Sequence, residues 1–121
     1  MYSIHKNPIG IYEKALPNAF TWEEKFKASK KAGFDYMELS IDESDERLKR
    51  LDWSDEDIET LRTVMRYTGI SFPTMCLSGH RKYPFGSKDP NIRAKAMEIM
   101  EKAINLSVKL GISCIELATN D

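Results

Sequence analysis

The chain has 121 residues, a hydrophobic fraction of 41%, a charged fraction of 31% and a formal net charge of −1. These values exclude more than one full-sized domain and exclude a global field that would draw the chain to nucleic acid or to an anionic membrane. No apolar run approaches the length of a membrane span, and residues 1–8 lack the apolar core of a signal peptide, so the expected setting is a reducing cytoplasm.

Residues 9–12 form a short apolar run after Pro8 and read as a first strand. A loop over residues 13–20 follows, with Pro17 and Asn18 as turn formers. Thr21 opens a helix: its hydroxyl caps the first turn while Glu24 reaches back, the reciprocal pattern of a capping box. Trp22, Phe26, Ser29 and Gly33 share one stripe of that helix, and Gly33 closes it. The second strand spans residues 34–40. A charged loop over residues 41–53 contains a helical turn near residues 46–51, and its acidic stretch from Asp42 to Glu46 reads as solvated. Ser54 starts the next helix, with Asp55, Glu56 and Asp57 at the positive end of its dipole, inner stripe Ile58, Leu61, Met65 and Thr68, and Gly69 at its end.

The third strand covers residues 70–77, where Pro73 removes a ladder donor and predicts a bulge or local edge. It delivers a loop bearing Ser78, His80, Arg81, Lys82 and Tyr83, a cationic and hydroxyl-rich cluster at a strand end. Asp89 and Pro90 begin a long helix with Ile92, Ala96, Ile99, Met100, Ala103 and Ile104 at helical spacing, ended by Gly111. Residues 112–118 form a fourth strand. Cys76 and Cys114 lie in apolar runs and read as reduced core thiols, with a disulfide or a metal pair as the weaker alternative.

Each main helix therefore ends in glycine just before a strand, at Gly33, Gly69 and Gly111, 36 and 42 residues apart. That is the length of a repeated strand–helix unit, and alternating strands and helices imply a parallel sheet with right-handed crossovers. An open doubly wound sheet and a piece of an eight-stranded barrel compete. The first strand is not followed by a glycine cluster, and no phosphate loop is present, so the barrel is favoured. The expected fold is α/β: the N-terminal half of a (β/α)8 TIM barrel, four parallel strands with three main helices, forming a single partial domain over residues 1–121. In the second and fourth strands Glu38 and Glu116 occupy matching faces, and both are expected to line the barrel interior near its C-terminal rim.

Three blocks carry a resemblance: IGIYEKALP at residues 9–17, ELSIDESDERLKRLDWS at residues 38–54 and MCLSGHRKYPFGS at residues 75–87. They resemble the L-ribulose-5-phosphate and L-xylulose-5-phosphate 3-epimerases, also described as hexulose-6-phosphate isomerases, within the xylose-isomerase-like barrels. The resemblance implies an epimerase that moves a proton at C3 of a ketopentose 5-phosphate through an enediolate, with a divalent metal (Mn, Mg or Zn) and two carboxylates. The metal ligands and catalytic glutamates of that family belong to the second half of the barrel. No catalytic residue or metal ligand is therefore expected in this chain, which is expected to bind no cofactor and to be inactive alone. What carries over is substrate binding at the first-half rim: Glu13 and Lys14 after the first strand, Ser78, His80 and Arg81 after the third, Asn120 and Asp121 after the fourth. Of these, His80 is positioned to meet a sugar hydroxyl, and Arg81 or Lys82 an anion. Expected partners are a ketopentose phosphate, neither nucleic acid nor membrane, and a second copy in a homodimer or higher oligomer, since half a barrel exposes two strand edges and an apolar inner face. A non-catalytic half-barrel assembly module and an abasic-site endonuclease-like barrel are the alternative readings.

Overall fold

The structure, a computed structural model, describes residues 7–118. Four strands, β1 (Gly10–Tyr12), β2 (Tyr36–Ile41), β3 (Ser71–Leu77) and β4 (Cys114–Leu117), lie side by side in sequence order, every neighbouring pair parallel. The helices are α1 (Trp22–Lys31), α2 (Asp45–Leu48), α3 (Asp55–Thr68) and α4 (Pro90–Leu110). Single 3-10 turns occupy Glu13–Ala15, Lys49–Asp52 and Gly79–Arg81. The expected half-barrel of parallel strands is thus observed, and the helical turn expected in the charged loop appears as α2 followed by the 3-10 turn Lys49–Asp52.

Local chemistry accounts for the helix limits. Thr21 and Glu24 form the reciprocal cap of α1, and Ser54 with Asp57 forms the same device at α3. Asp89 caps α4 ahead of Pro90. Gly69 and Gly111 end α3 and α4 at φ of 75° and 77°, a left-handed conformation that glycine adopts without a Cβ penalty. Gly33, at φ 90°, follows the last turn of α1 and does the same work one residue beyond the cap. The register of β2 on β3 shifts between Tyr36 and Glu38, so that Pro73 sits in a bulge as expected; its carbonyl accepts from the Ser113 amide at 3.0 Å.

Strand alternation separates two faces of the sheet. Met37, Leu39, Ile41, Phe72, Met75 and Leu77 are all within 1% of full burial and pack with Phe26, Ile58, Leu61, Ile99 and Ala103 from the helices. Trp22, Phe26 and Phe72 tie α1 to β3 through tilted and edge-to-face ring contacts at 5.2–6.1 Å between centroids. The opposite face, the side a closed barrel would turn inward, carries Tyr12, Tyr36, Glu38, Ser40, Thr74, Cys76, Cys114 and Glu116.

Three expectations need correction here. The inner face is polar, not apolar, because the sheet places its aliphatic residues under the helices. Cys76 is half-buried and Cys114 exposed, both unpaired thiols on this inner face, so neither is a core thiol. Ile104 is 48% exposed instead of packed inward, although it keeps the helical spacing of the α4 core positions.

Candidate functional site

Parallel strands bring their C-terminal ends to one rim, and each end hands the chain to a polar segment. The segments after β1, β2 and β3 meet there: Ser78 donates its amide to the Ile41 carbonyl at 2.8 Å, and a Cβ at position 79 would meet the Asp42 carbonyl oxygen at 3.6 Å.

Glu13 lies at the centre of this rim, 1% exposed. Its Oε1 accepts the Ser40 amide at 2.7 Å and also the Arg50 guanidinium, while its Oε2 accepts Lys25 Nζ at 3.2 Å. Arg50 Nη1 donates further to the Ser40 carbonyl at 2.9 Å. Both cations also stand over the Trp22 ring, at 4.5 Å for Lys25 and 4.8 Å for Arg50. A carboxylate this deep needs such a full set of partners, because uncompensated burial of charge is prohibitive. Glu13 therefore braces the β1 and β2 ends, with both oxygens already taken.

Lys14, the next residue, is exposed and pairs with Asp42 at 2.8 Å. Asp42 also accepts from the Ser44 hydroxyl at 2.5 Å, from the Ser44 amide at 2.9 Å and from Arg47 at 3.4 Å. This corrects the reading of Asp42 as part of a solvated acidic loop; it is 9% exposed and organises the loop after β2. Burial works to raise its pKa, yet the Lys14 ion pair and the two Ser44 bonds outweigh it and hold the carboxyl well below its ordinary value of 3.8. Because the folded value lies below the unfolded one, the ionised carboxylate contributes stability at neutral pH that is lost as pH falls from about 4 downward. Asp42→Asn is expected to remove part of the acid sensitivity of unfolding below pH 4 while leaving its slope above pH 5 unchanged; denaturant midpoints measured across that range check it.

Ser78 is 5% and His80 3% exposed. The His80 ring stacks on Phe85 at 4.3 Å, and its Nε2 bonds the Ala96 carbonyl at 2.9 Å, pinning the segment after β3 to α4. Arg81 is exposed beside it, with no ion-pair partner among the described residues. Asn120 and Asp121 lie outside the described residues.

The inner face supplies what the sequence reading did not single out. Tyr12 pairs in register with Glu38, Glu38 with Thr74 and Thr74 with Cys114; one step toward the rim, Ser40 pairs with Cys76 and Cys76 with Glu116. These are two rows of inward positions, the layering of a barrel interior. Tyr12 donates its hydroxyl to Ser40 Oγ at 2.9 Å, and Thr74 donates to Glu38 Oε2 at 2.7 Å. Burial pushes the Tyr12 phenol above its ordinary pKa of 10.0, so it remains a protonated donor at neutral pH. Glu38 and Glu116 both face this side, as expected. The period-2 alternation that placed the two glutamates together puts Ser40 on the same face as Glu38. Tyr12 carried no comparable signal, since β1 has only three residues.

Glu38, Cys76 and Glu116 each present one ligand atom within 4.8 Å of the other two. The set mixes a thiol with two carboxylates, brings no imidazole, and Glu38 already holds Thr74. It fits neither the all-oxygen shells of Mg2+ and Mn2+ nor the histidine- or multi-cysteine sets of zinc sites. These residues do not make a resident metal centre. On the helix side, a cleft of about 250 Å3 lies between the residues 45–52 segment and α4, but its Lys102 is already paired with Asp52 at 2.7 Å and Glu98 at 2.9 Å.

Among the described residues, no helix is long and apolar enough to cross a membrane. The chain is 50% identical over 114 residues to L-ribulose-5-phosphate 3-epimerase UlaE of Escherichia coli, covering 94% of this chain and 40% of that protein. It is 54% identical over 116 residues to the Haemophilus influenzae protein SgbU, covering 96% of this chain and 41% of that protein. The chain thus spans about two-fifths of the curated relatives it matches. Among solved structures, D-psicose 3-epimerase of Clostridium cellulolyticum, crystallised with D-tagatose, superposes with a TM-score of 0.76 at 22% identity over 93% of this chain and 37% of that one. A xylose isomerase-like barrel of Mycobacterium smegmatis, in complex with magnesium, gives a TM-score of 0.65 at 18% identity. Residues 26–120 match the family described as xylose isomerase-like TIM barrel, and with its four in-order parallel strands this chain belongs to that family.

Proposed function

We propose that this chain forms the first half of a cytoplasmic sugar-phosphate 3-epimerase, its inner sheet face serving as one wall of the cavity that holds a ketopentose 5-phosphate. The observation that carries the reading is the half-identity to UlaE along 94% of the chain; the hydroxyl- and carboxylate-bearing inner face gives it a physical basis. Tyr12 and Ser40 form one hydrogen-bonding unit for sugar hydroxyls, Glu38 and Thr74 another, and the exposed Arg81 meets the phosphate at the rim. Glu13, Ser78 and His80 act behind this surface by fixing the strand ends, while Lys14 reaches it only through Asp42. Asn120 and Asp121 are proposed contacts at the fourth strand end. The residues that move the C3 proton, and any divalent metal they use, belong to the half this chain does not span, so the chain alone is inactive.

A chimaera joining residues 1–121 to the remaining three-fifths of UlaE tests this directly. It is expected to epimerise L-ribulose 5-phosphate, and Tyr12→Phe in that chimaera is expected to lower kcat/KM about tenfold, the worth of one hydrogen bond made in a dry site. A folded chimaera without epimerase activity would overturn the reading.

A further inference from the structure

The helices run back against their strands, so α1 and α3 both end at the rim where the strands begin, away from Glu13 and the segments after β1, β2 and β3. A cleft of about 700 Å3 lies between these two helix ends, lined by Lys27, Lys30, Lys31, Tyr67 and Thr68. The three lysines stand at i, i+3 and i+4, hence on one side of α1. Lys27 pairs with Glu23 at 2.9 Å, whereas Lys30 and Lys31 have no ion-pair partner among the described residues. No carboxylate lines the cleft. Tyr67, on α3, is 73% exposed, and Lys27 Nζ stands 5.7 Å from its ring centroid. The field of the α1 C-terminus favours Lys30 and Lys31 in its last turn. That field gives no reason for an open aromatic ring beside them.

The lining selects among occupants. Apart from the Tyr67 ring it is polar, so an apolar helix or peptide finds little to pack against. Clustered ammonium groups suit the dense charge of linked phosphates, and an exposed tyrosine ring is a stacking surface for a planar base. The neighbouring cleft between α3 and α4, about 490 Å3, has a different character: Met65, Ile70, Val108 and Leu110 line it, and its Arg66 is already held by Glu59 at 3.1 Å. We propose that the lysine cleft binds a nucleoside polyphosphate, its base stacked on Tyr67 and its phosphates held by Lys30 and Lys31. The site lies at the rim opposite the sugar-phosphate cavity and is independent of the epimerase reading.

The test titrates metal-free ATP, tripolyphosphate and adenosine into the 121-residue chain and follows the Tyr67 ring and the Lys30 and Lys31 amides by NMR. ATP is expected to shift all three and to bind more tightly than either of its halves. Tyr67→Ala is expected to weaken ATP about tenfold, the worth of one stacked base, and to leave tripolyphosphate unchanged. Lys30→Gln with Lys31→Gln is expected to weaken both ATP and tripolyphosphate. Lys88→Gln with Lys109→Gln removes the same charge outside the cleft and is expected to leave both unchanged. Circular dichroism and melting temperature establish that the variants remain folded. ATP binding indifferent to the Lys30 and Lys31 changes, or tripolyphosphate binding as tightly as ATP, would overturn the proposal. So would tighter binding of a short oligoadenylate or a polyglutamate peptide than of ATP, since the occupant would then be RNA or an acidic protein segment.

Discussion

Glu13→Gln is expected to destabilise the chain by about 3–5 kcal/mol, among the largest effects available to a single polar substitution here. The exchange keeps the shape of the side chain and removes its charge. Lys25 and Arg50, 5% and 9% exposed, are then left as buried cations without their counterion. A buried pair contributes little net stability over an apolar pair, but breaking it from one side leaves the full desolvation cost uncompensated. Adding Lys25→Met and Arg50→Met to Glu13→Gln is therefore expected to recover most of the loss. Urea unfolding of the three proteins checks both statements; a cost below about 1 kcal/mol for Glu13→Gln would show that the site is open to water.

Phe72→Ala is expected to cost a similar amount, about 3–5 kcal/mol, through a different mechanism. Phe72 is 1% exposed and its ring meets Trp22 at 5.6 Å and Phe26 at 5.2 Å. Truncation leaves a cavity between β3 and α1. It also frees Trp22, the ring over which Lys25 and Arg50 are stacked. The core and the rim are consequently coupled: the double variant Phe72→Ala/Glu13→Gln is expected to be less destabilised than the sum of the two singles. A double-mutant cycle read by denaturant unfolding measures that coupling, and strict additivity would separate the two.

How much of this could be read before the structure depends on the reach of each interaction. Helix limits are set within one turn, so Thr21 with Glu24, Ser54 with Asp57, Asp89 with Pro90 and the three left-handed glycines were all legible. The spacing of those glycines gave the strand–helix repeat, and Pro73 gave the bulge. The matched face of Glu38 and Glu116 followed from alternation alone. The rim was not legible to the same extent. Glu13 meets Lys25 across 12 residues and Arg50 across 37, and no local pattern distinguishes these three from other charged residues in their segments. The capture of Asp42 by Lys14, and the burial of His80 under Phe85, likewise arise only when separate strand ends converge. Ile104 shows the opposite limit: helical periodicity marks a residue as apolar-facing but does not say which neighbour it faces.

The proposed function requires the inner sheet face to be a wall of the sugar-phosphate cavity. Cys76 lies on that face, between Ser40 and Glu116 in register, and its thiol is a built-in reporter. The rate of Cys76 alkylation in the UlaE chimaera, followed by peptide mass spectrometry with and without L-ribulose 5-phosphate, measures the claim directly. Protection by the sugar phosphate, saturating at the concentration that saturates turnover, is the predicted result; an alkylation rate unchanged by a sugar phosphate that the chimaera turns over would contradict it.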